Sequence, residues 1–279
     1  MLDLHTHSTV SDGSEPPSRV IELAAAAGCT AVALTDHDRL DGLATAGAAG
    51  RALGIEVVAG CELSCAVPAA MGAMHLLVYF VDDPEGPLGE ELVRLQRVRD
   101  ERNVVMCERL GLSYEALLAE AGGIGAGRPH AAALLVREGR ASSVQDAFDR
   151  WLAKGRPGYV EKERLSPGDA LALARASGGV PVLAHPLSLD IGIDRELAAA
   201  VEELRDLGLA GVECVYGRYS PGERAALTAL TRALGLAVTG GSDYHGTYKP
   251  DLAVGVGTGD LDVPDDLLDD LRERQRTGP

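Results

Sequence analysis

The stretch MLDLHTHSTVSDGSEPPSRVIELAAAAGCTAVALTDHD, residues 1–38, decides the fold. Residues 2–7 alternate apolar and polar side chains, the pattern of a half-buried strand, and Ser11-Asp12-Gly13 supplies the turn that ends it. Pro16-Pro17-Ser18-Arg19 opens a helix that runs through Ala27 and stops at Gly28. Residues 31–36 are again an apolar run closing on a charge. Strand, helix and strand within 38 residues is βαβ punctuation, and it recurs outward from there. Residues 56–62 and 74–81 repeat the strand form, with a helix over 43–53 halted by Gly54; the pattern resumes at 180–185, 211–216 and 236–242, with helices over 194–207 and 221–234. Seven strands running in one direction imply a parallel barrel or an open parallel sheet, and either places chemistry at the carboxyl ends of the strands.

Residues 83–160 interrupt the alternation. Segments 88–110, 114–121, 129–138 and 144–153 read as helices with no strand between them, and Lys154-Gly155-Arg156-Pro157-Gly158 reads as a return linker. The expected organisation is therefore α/β: residues 1–82 and 161–279 form the sheet domain, with residues 83–160 as a helical insertion between strands four and five. Beyond Asp251 the chain turns acidic, and Val263-Pro264-Asp265-Asp266 is expected to start a short helix that fades into a frayed tail.

Composition excludes several function classes. With 279 residues, 46% hydrophobic, 24% charged and a mean hydropathy of +0.03, the chain is of ordinary globular type and long enough to bury a core. No apolar run approaches the ~20 residues of a membrane span, and the first residues lack a signal-peptide pattern, so no membrane association and a cytoplasmic location are expected. Cys29, Cys61, Cys65, Cys107 and Cys214 are odd in number and scattered, which predicts buried free thiols rather than a disulfide framework. The formal charge of −16 argues against long DNA or RNA as a ligand. Residues 128–164 nevertheless hold eight basic and five acidic side chains, which leaves room for a local anion site.

Six of the seven histidines fall at predicted strand ends. His5 and His7 share one strand face because side chains two apart on a strand point the same way, and Asp12 lies in the following turn. Strand two ends in Thr35-Asp36-His37-Asp38, strand three in Glu62, strand five in His185-Pro186 and strand seven in Gly241-Ser242-Asp243-Tyr244-His245, while strand four carries His75. A lone histidine at a strand end is an ordinary structural residue, but six with three carboxylates form a ligand set. Imidazole with carboxylate favours zinc, manganese or iron, and nine ligands suggest more than one ion.

These motifs resemble those of the PHP (polymerase and histidinol phosphatase) family, and the insertion, with Gly127-Arg128-Pro129-His130 and the Lys154 to Val160 segment, is similar to that of stand-alone bacterial PHP phosphoesterases acting on nucleotides and short RNA. The resemblance spans the chain apart from its acidic tail. It implies a distorted (β/α)7 barrel and two to three divalent ions, commonly manganese, with iron or zinc as alternatives. By that similarity His5, His7, Glu62 and Asp243 hold the first ion, Glu62, His75 and His185 the second, and Asp12, His37 and His245 the third, with Glu62 bridging. The implied reaction is hydrolysis of a phosphate monoester by a metal-bridging hydroxide, with no protein nucleophile, so Ser8 and Ser242 are turn residues.

The implied substrates are nucleotides, such as nucleoside 3′,5′-bisphosphates or AMP, or short 5′-phosphorylated oligonucleotides, with histidinol phosphate as the alternative. An amidohydrolase-type barrel also uses an HxH pair, but has no need of Asp12, His37 and His245. A metal-stabilised binding module without activity is the non-enzymatic alternative, and no obligate protein partner is evident. Arg128, His130 and Arg156 sit in Pro/Gly-fixed turns of the net-positive stretch and are the expected substrate-binding residues. Asp36 and Asp38 are read either as supports for the ligands or as exposed loop residues, and Tyr216, Tyr219, Tyr244 and Tyr248 as packing or surface residues, one of which could stack on a base.

Overall fold

A computed structural model describes residues 1–68, 71–81, 83–122 and 125–277. Asp82, the last residue of the first expected sheet segment, lies outside them. The chain runs β1 (Leu2–Thr6), α1 (Pro17–Ala26), β2 (Ala31–Leu34), α2 (Leu43–Leu53), β3 (Glu56–Cys65) and β4 (Met74–Tyr79). Then follow α3 (Pro87–Leu110), α4 (Tyr114–Glu120), α5 (Arg128–Arg137) and α6 (Val144–Ala147), with no strand among the described residues of that stretch. α7 (Pro167–Ala176), β5 (Val180–Leu183), α8 (Arg195–Asp206), β6 (Gly211–Tyr216), α9 (Pro221–Ala233), β7 (Ala237–Gly241) and α10 (Asp266–Thr277) complete it.

The seven strands form one sheet in the order β1-β2-β3-β4-β5-β6-β7. Its two edges approach each other: the Asp243 N–H donates to His5 O at 2.8 Å and the His7 N–H to Tyr244 O at 2.9 Å, so the sheet is a nearly closed barrel. That approach depends on Gly241, where a Cβ would stand 2.5 Å from the His5 backbone nitrogen. The strands do not all run one way, as the sequence pattern suggested. β4 pairs antiparallel with both β3 and β5. The connection from β3 to β4, residues 66–73, is too short for the crossover that parallel neighbours require, so the strand must turn back. This reversal brings the amino end of β4, with His75, to the end of the barrel where the other strands finish.

Several helices differ from their sequence reading. α7 escaped it, although Ser166-Pro167-Gly168-Asp169 is a start signal whose Ser166 Oγ accepts the Asp169 N–H at 3.1 Å. The expected helix over 144–153 becomes α6 followed by a π-helical turn, Phe148–Leu152. α10 is a full helix rather than a frayed tail, with Leu267, Leu268 and Leu271 buried. Residues Met1–Glu91 with Arg164–Pro279 form one compact unit and Leu92–Glu163 a second. The second has its own core, including Met106, Leu117, Leu134, Leu135 and Leu152. All five cysteines are free and buried, and no helix among the described residues is long and apolar enough to cross a membrane.

Candidate metal centre

All nine expected ligands belong to the first unit and form one cluster, in which five of the six histidines lie against Glu62. Its two oxygens face different partners. Oε1 lies 2.9 Å from His185 Nε2 and 3.0 Å from His75 Nδ1, whereas Oε2 lies 3.1 Å from His5 Nε2, 3.1 Å from His7 Nε2 and 3.2 Å from His37 Nδ1. A carboxylate so placed has the geometry to join two cations. Asp243 Oδ1 stands 3.5 Å from His5 Nε2 and 3.4 Å from His7 Nε2, and Asp12 Oδ1 3.3 Å from His245 Nε2. Four groups therefore have donor atoms close enough to share an ion: His5, His7 and Asp243; His5, Glu62 and His185; His37, Glu62 and His75; and His7, Asp12, His37 and His245. His37 thus stands with Glu62 and His75 as well as with Asp12, a wider role than the family pattern gives it.

The donor set fits divalent ions on its own chemistry. His37 Nδ1 and His75 Nδ1 are buried and, although 3.2 Å and 3.0 Å from Glu62 oxygens, make no hydrogen bond of adequate angle among the described residues, an arrangement costly for imidazole unless a cation takes the lone pair. His245 Nδ1 lies 2.8 Å from Asp243 O; a carbonyl only accepts, so Nδ1 carries the proton and Nε2 is free to ligate. His185 and Asp243 also have left-handed backbones, with φ of 24° and 56°. Such strain in non-glycine residues persists where the surroundings over-determine it, and here it falls on two candidate ligands.

The electrostatics follow from packing. Burial alone would depress His7, but its hydrogen bonds to Asp243 and Glu62 and the charges of Glu62 and Asp12 outweigh it and push the imidazole up to about 9. His5 is likewise raised well above its usual value against burial, by Glu213, Glu62 and Asp243. Burial, aided by His7 and His75, takes His37 down to about 3 despite Glu62 and Asp12. Glu62 and Asp243 stay well below the usual carboxylate range in spite of burial, because histidines surround them.

Glu213 was not singled out by sequence reasoning and is central. It is fully buried in β6; Oε1 lies 2.9 Å from His5 Nδ1 and Oε2 accepts the His185 N–H at 2.8 Å, so one carboxylate orients two candidate ligands. A lone acid within the apolar run Gly211-Val212-Glu213-Cys214-Val215-Tyr216 was the available signal. Asp36 and Asp38 are buried, not exposed. Asp36 accepts from Ser8 N, Ser8 Oγ and Ser11 Oγ, and Asp38 from Ser64 N and Oγ. The Tyr216 hydroxyl donates to Asp243 Oδ2 at 2.7 Å, and the Tyr219 hydroxyl accepts the Leu187 N–H at 2.9 Å. Tyr248 is exposed.

A cavity of about 440 Å³ opens over His37, His75, His185 and Asp243 and is walled by Tyr216 and Tyr219. The three expected substrate residues all lie in the second unit. Arg128 opens α5 with its guanidinium 5.6 Å from the centre of the Tyr159 ring, His130 Nδ1 accepts the Gly127 N–H at 3.2 Å, and Arg156 is exposed.

The PHP domain family matches residues 3–161. The chain is 32% identical to a 3′,5′-nucleoside bisphosphate phosphatase of Chromobacterium violaceum, over 95% of this chain and 92% of that protein. It is 30% identical to the 5′-3′ exoribonuclease Rnm of Escherichia coli, over 88% and 85% of the two chains. A solved structure from Bifidobacterium adolescentis, of a protein proposed to be a metal-dependent phosphoesterase, superposes with a TM-score of 0.80 at 27% identity, covering 98% of this chain and 96% of the other.

Proposed function

The chain belongs to the PHP domain family, and from that premise we propose that it is a metal-dependent phosphoesterase releasing phosphate from nucleotide monoesters or short 5′-phosphorylated oligonucleotides. The observation that carries this reading is the clustering of six histidines and three carboxylates at one end of the barrel, five of the histidines lying against Glu62. We assign His5, His7, Glu62 and Asp243 to one divalent ion, Glu62, His75 and His185 to a second, and Asp12, His37 and His245 to a third, with manganese as the expected metal in two to three copies. Divalent ions bound there supply positive charge to phosphoryl oxygens and a water nucleophile ionised near neutral pH.

The chain's own residues prepare that site. Glu213 fixes His5 and His185, the Asp243 carbonyl fixes the tautomer of His245, and the Tyr216 hydroxyl pins Asp243. We read Ser8 and Ser242 as turn residues rather than nucleophiles, a reading supported by Ser8 Oγ donating to Asp36 Oδ2 at 2.7 Å and by the burial of Ser242. Recognition of the phosphorylated substrate is assigned to Arg128, His130 and Arg156, supported by the net-positive stretch that holds them and by the stacking of Arg128 on Tyr159.

A phosphate-release screen of manganese-loaded protein tests this reading, run over mononucleotides, nucleoside 3′,5′-bisphosphates, short 5′-phosphorylated oligonucleotides and histidinol phosphate. Turnover of a nucleotide class above histidinol phosphate is expected. Preference for histidinol phosphate would support the other phosphatase reading, and release from none of them a binding module.

A further inference from the structure

The cavity over the histidine cluster carries on its rim a cation that the assignment above leaves unused, Arg218. It stands in the turn Tyr216-Gly217-Arg218-Tyr219, closed by the Tyr219 N–H donating to Tyr216 O at 3.0 Å. Gly217 lets this turn press against the end of β7: its N–H donates to Gly241 O at 3.0 Å, and a Cβ there would lie 2.6 Å from Ser242 O. Arg218 thereby follows directly on the strand end that carries Tyr216 and Glu213.

The guanidinium is locked along one edge. Nε donates to Asp251 Oδ2 at 2.8 Å and Nη2 to Asp251 Oδ1 at 2.7 Å, while Nη1 donates to nothing among the described residues. Both partners are substantially exposed, 42% for Arg218 and 49% for Asp251. An exposed pair of this kind contributes little to stability, about 0–1 kcal/mol, so support of the fold is a weak reason for it. What the pair does achieve is a pre-oriented fork at the cavity rim, with one nitrogen uncommitted. The end of the guanidinium that remains, Nη1–H with the second Nη2–H, can still donate to a phosphate oxygen pair.

We propose that Arg218, held by Asp251, is a specificity-determining residue that binds a second anionic group of the substrate, so that the preferred ester has a leaving group that itself carries phosphate. This rests on the phosphoesterase reading and deepens it: a nucleoside 3′,5′-bisphosphate or the phosphodiester-bearing end of an oligonucleotide fits such a site better than a nucleoside monophosphate. Arg218 contacts the non-reacting phosphate, and Asp251 acts through Arg218 as a positioning residue.

The test compares kcat/KM for adenosine 3′,5′-bisphosphate and for AMP on manganese-loaded full-length protein. Arg218→Gln should lower the ratio of the two values about 30-fold, chiefly through KM for the bisphosphate. Arg218→Lys, which keeps the charge without the fork, should fall between, and Asp251→Asn should lower the ratio less than Arg218→Gln. Arg205→Gln, in α8, paired with Asp206 and outside the lining of the cavity, should leave the ratio as it is. An active wild-type protein whose ratio is unaltered by Arg218→Gln, or whose two values fall equally, overturns this inference alone. A wild-type protein that releases phosphate from neither compound overturns this inference, and the phosphoesterase reading falls with it only if the short 5′-phosphorylated oligonucleotides and histidinol phosphate of the screen also yield no phosphate.

Discussion

Glu213 Oε1 lies 2.9 Å from His5 Nδ1, deep in the barrel and out of contact with solvent. A carboxylate only accepts, so this contact keeps the proton on Nδ1 and aims Nε2 at Glu62 and His7.

Glu213→Gln keeps the shape and removes the charge that makes His5 a strong ligand. Metal affinity should fall about 10- to 100-fold, measured by competition with a coloured chelator. An unchanged affinity would mean that Glu213 serves packing alone.

The His7 imidazole gives the metal-free protein a definite pH dependence. Its folded value of about 9 lies above its ordinary 6.5, so its stabilising contribution is complete below pH 6.5 and is lost as the pH rises through about 9. His37, held at about 3, acts in a separate window, losing its contribution as the pH drops below 6.5. Metal ions need neutral imidazoles, so their binding displaces the His7 proton and strengthens over the same rise in pH. Thermal midpoints of chelated protein should fall between pH 6.5 and 9 while the stabilisation by added manganese grows; opposite trends would contradict the placement of His7 among the carboxylates.

Much of this centre was legible because its residues interrupt otherwise simple patterns. A histidine pair on one strand face, Thr35-Asp36-His37-Asp38 and Gly241-Ser242-Asp243 are polar groups where apolar strands end, and only chemistry or structure explains them. Glu213 was hidden because a single acid inside a strand gives no spacing to read. The reversal of β4 was hidden too, since a strand buried on both faces has the same apolar signature in either direction; only the short 66–73 connection hinted at it. The cavity-facing Arg218 was invisible for a third reason: its partner Asp251 is 33 residues away and meets it only through the fold.

Asp3 offers a test of the scaffold apart from the chemistry. Fully buried in β1, its carboxylate accepts the N–H groups of Ser242 at 2.9 Å, Gly255 at 2.7 Å and His5 at 3.3 Å. Asp3→Ala strands all three and should cost about 3 kcal/mol or more in urea unfolding of chelated protein, and Asp3→Asn should cost less. A loss under about 0.5 kcal/mol for Asp3→Ala would mean that other acceptors replace it.

Arg128 separates recognition from metal binding. Arg128→Ala should lower kcat/KM about 30- to 150-fold on the best nucleotide substrate, with Arg128→Lys recovering little of it and metal content unaltered. Full activity in both Arg128→Ala and Arg156→Ala would remove substrate recognition from this helical segment, and loss of metal would assign these residues to folding.

The central claim is that ions gathered around Glu62 drive phosphate release. The most direct measurement follows both quantities in one sample: ions bound per chain by elemental analysis, and phosphate released from a nucleoside 3′,5′-bisphosphate, as chelated protein is titrated with manganese. Activity should be absent in chelator, rise with binding and saturate at two to three ions, and Glu62→Gln should bind at least one ion fewer and stay inactive. Turnover that persists in the stripped protein, or protein that is fully loaded yet releases nothing, would contradict the account.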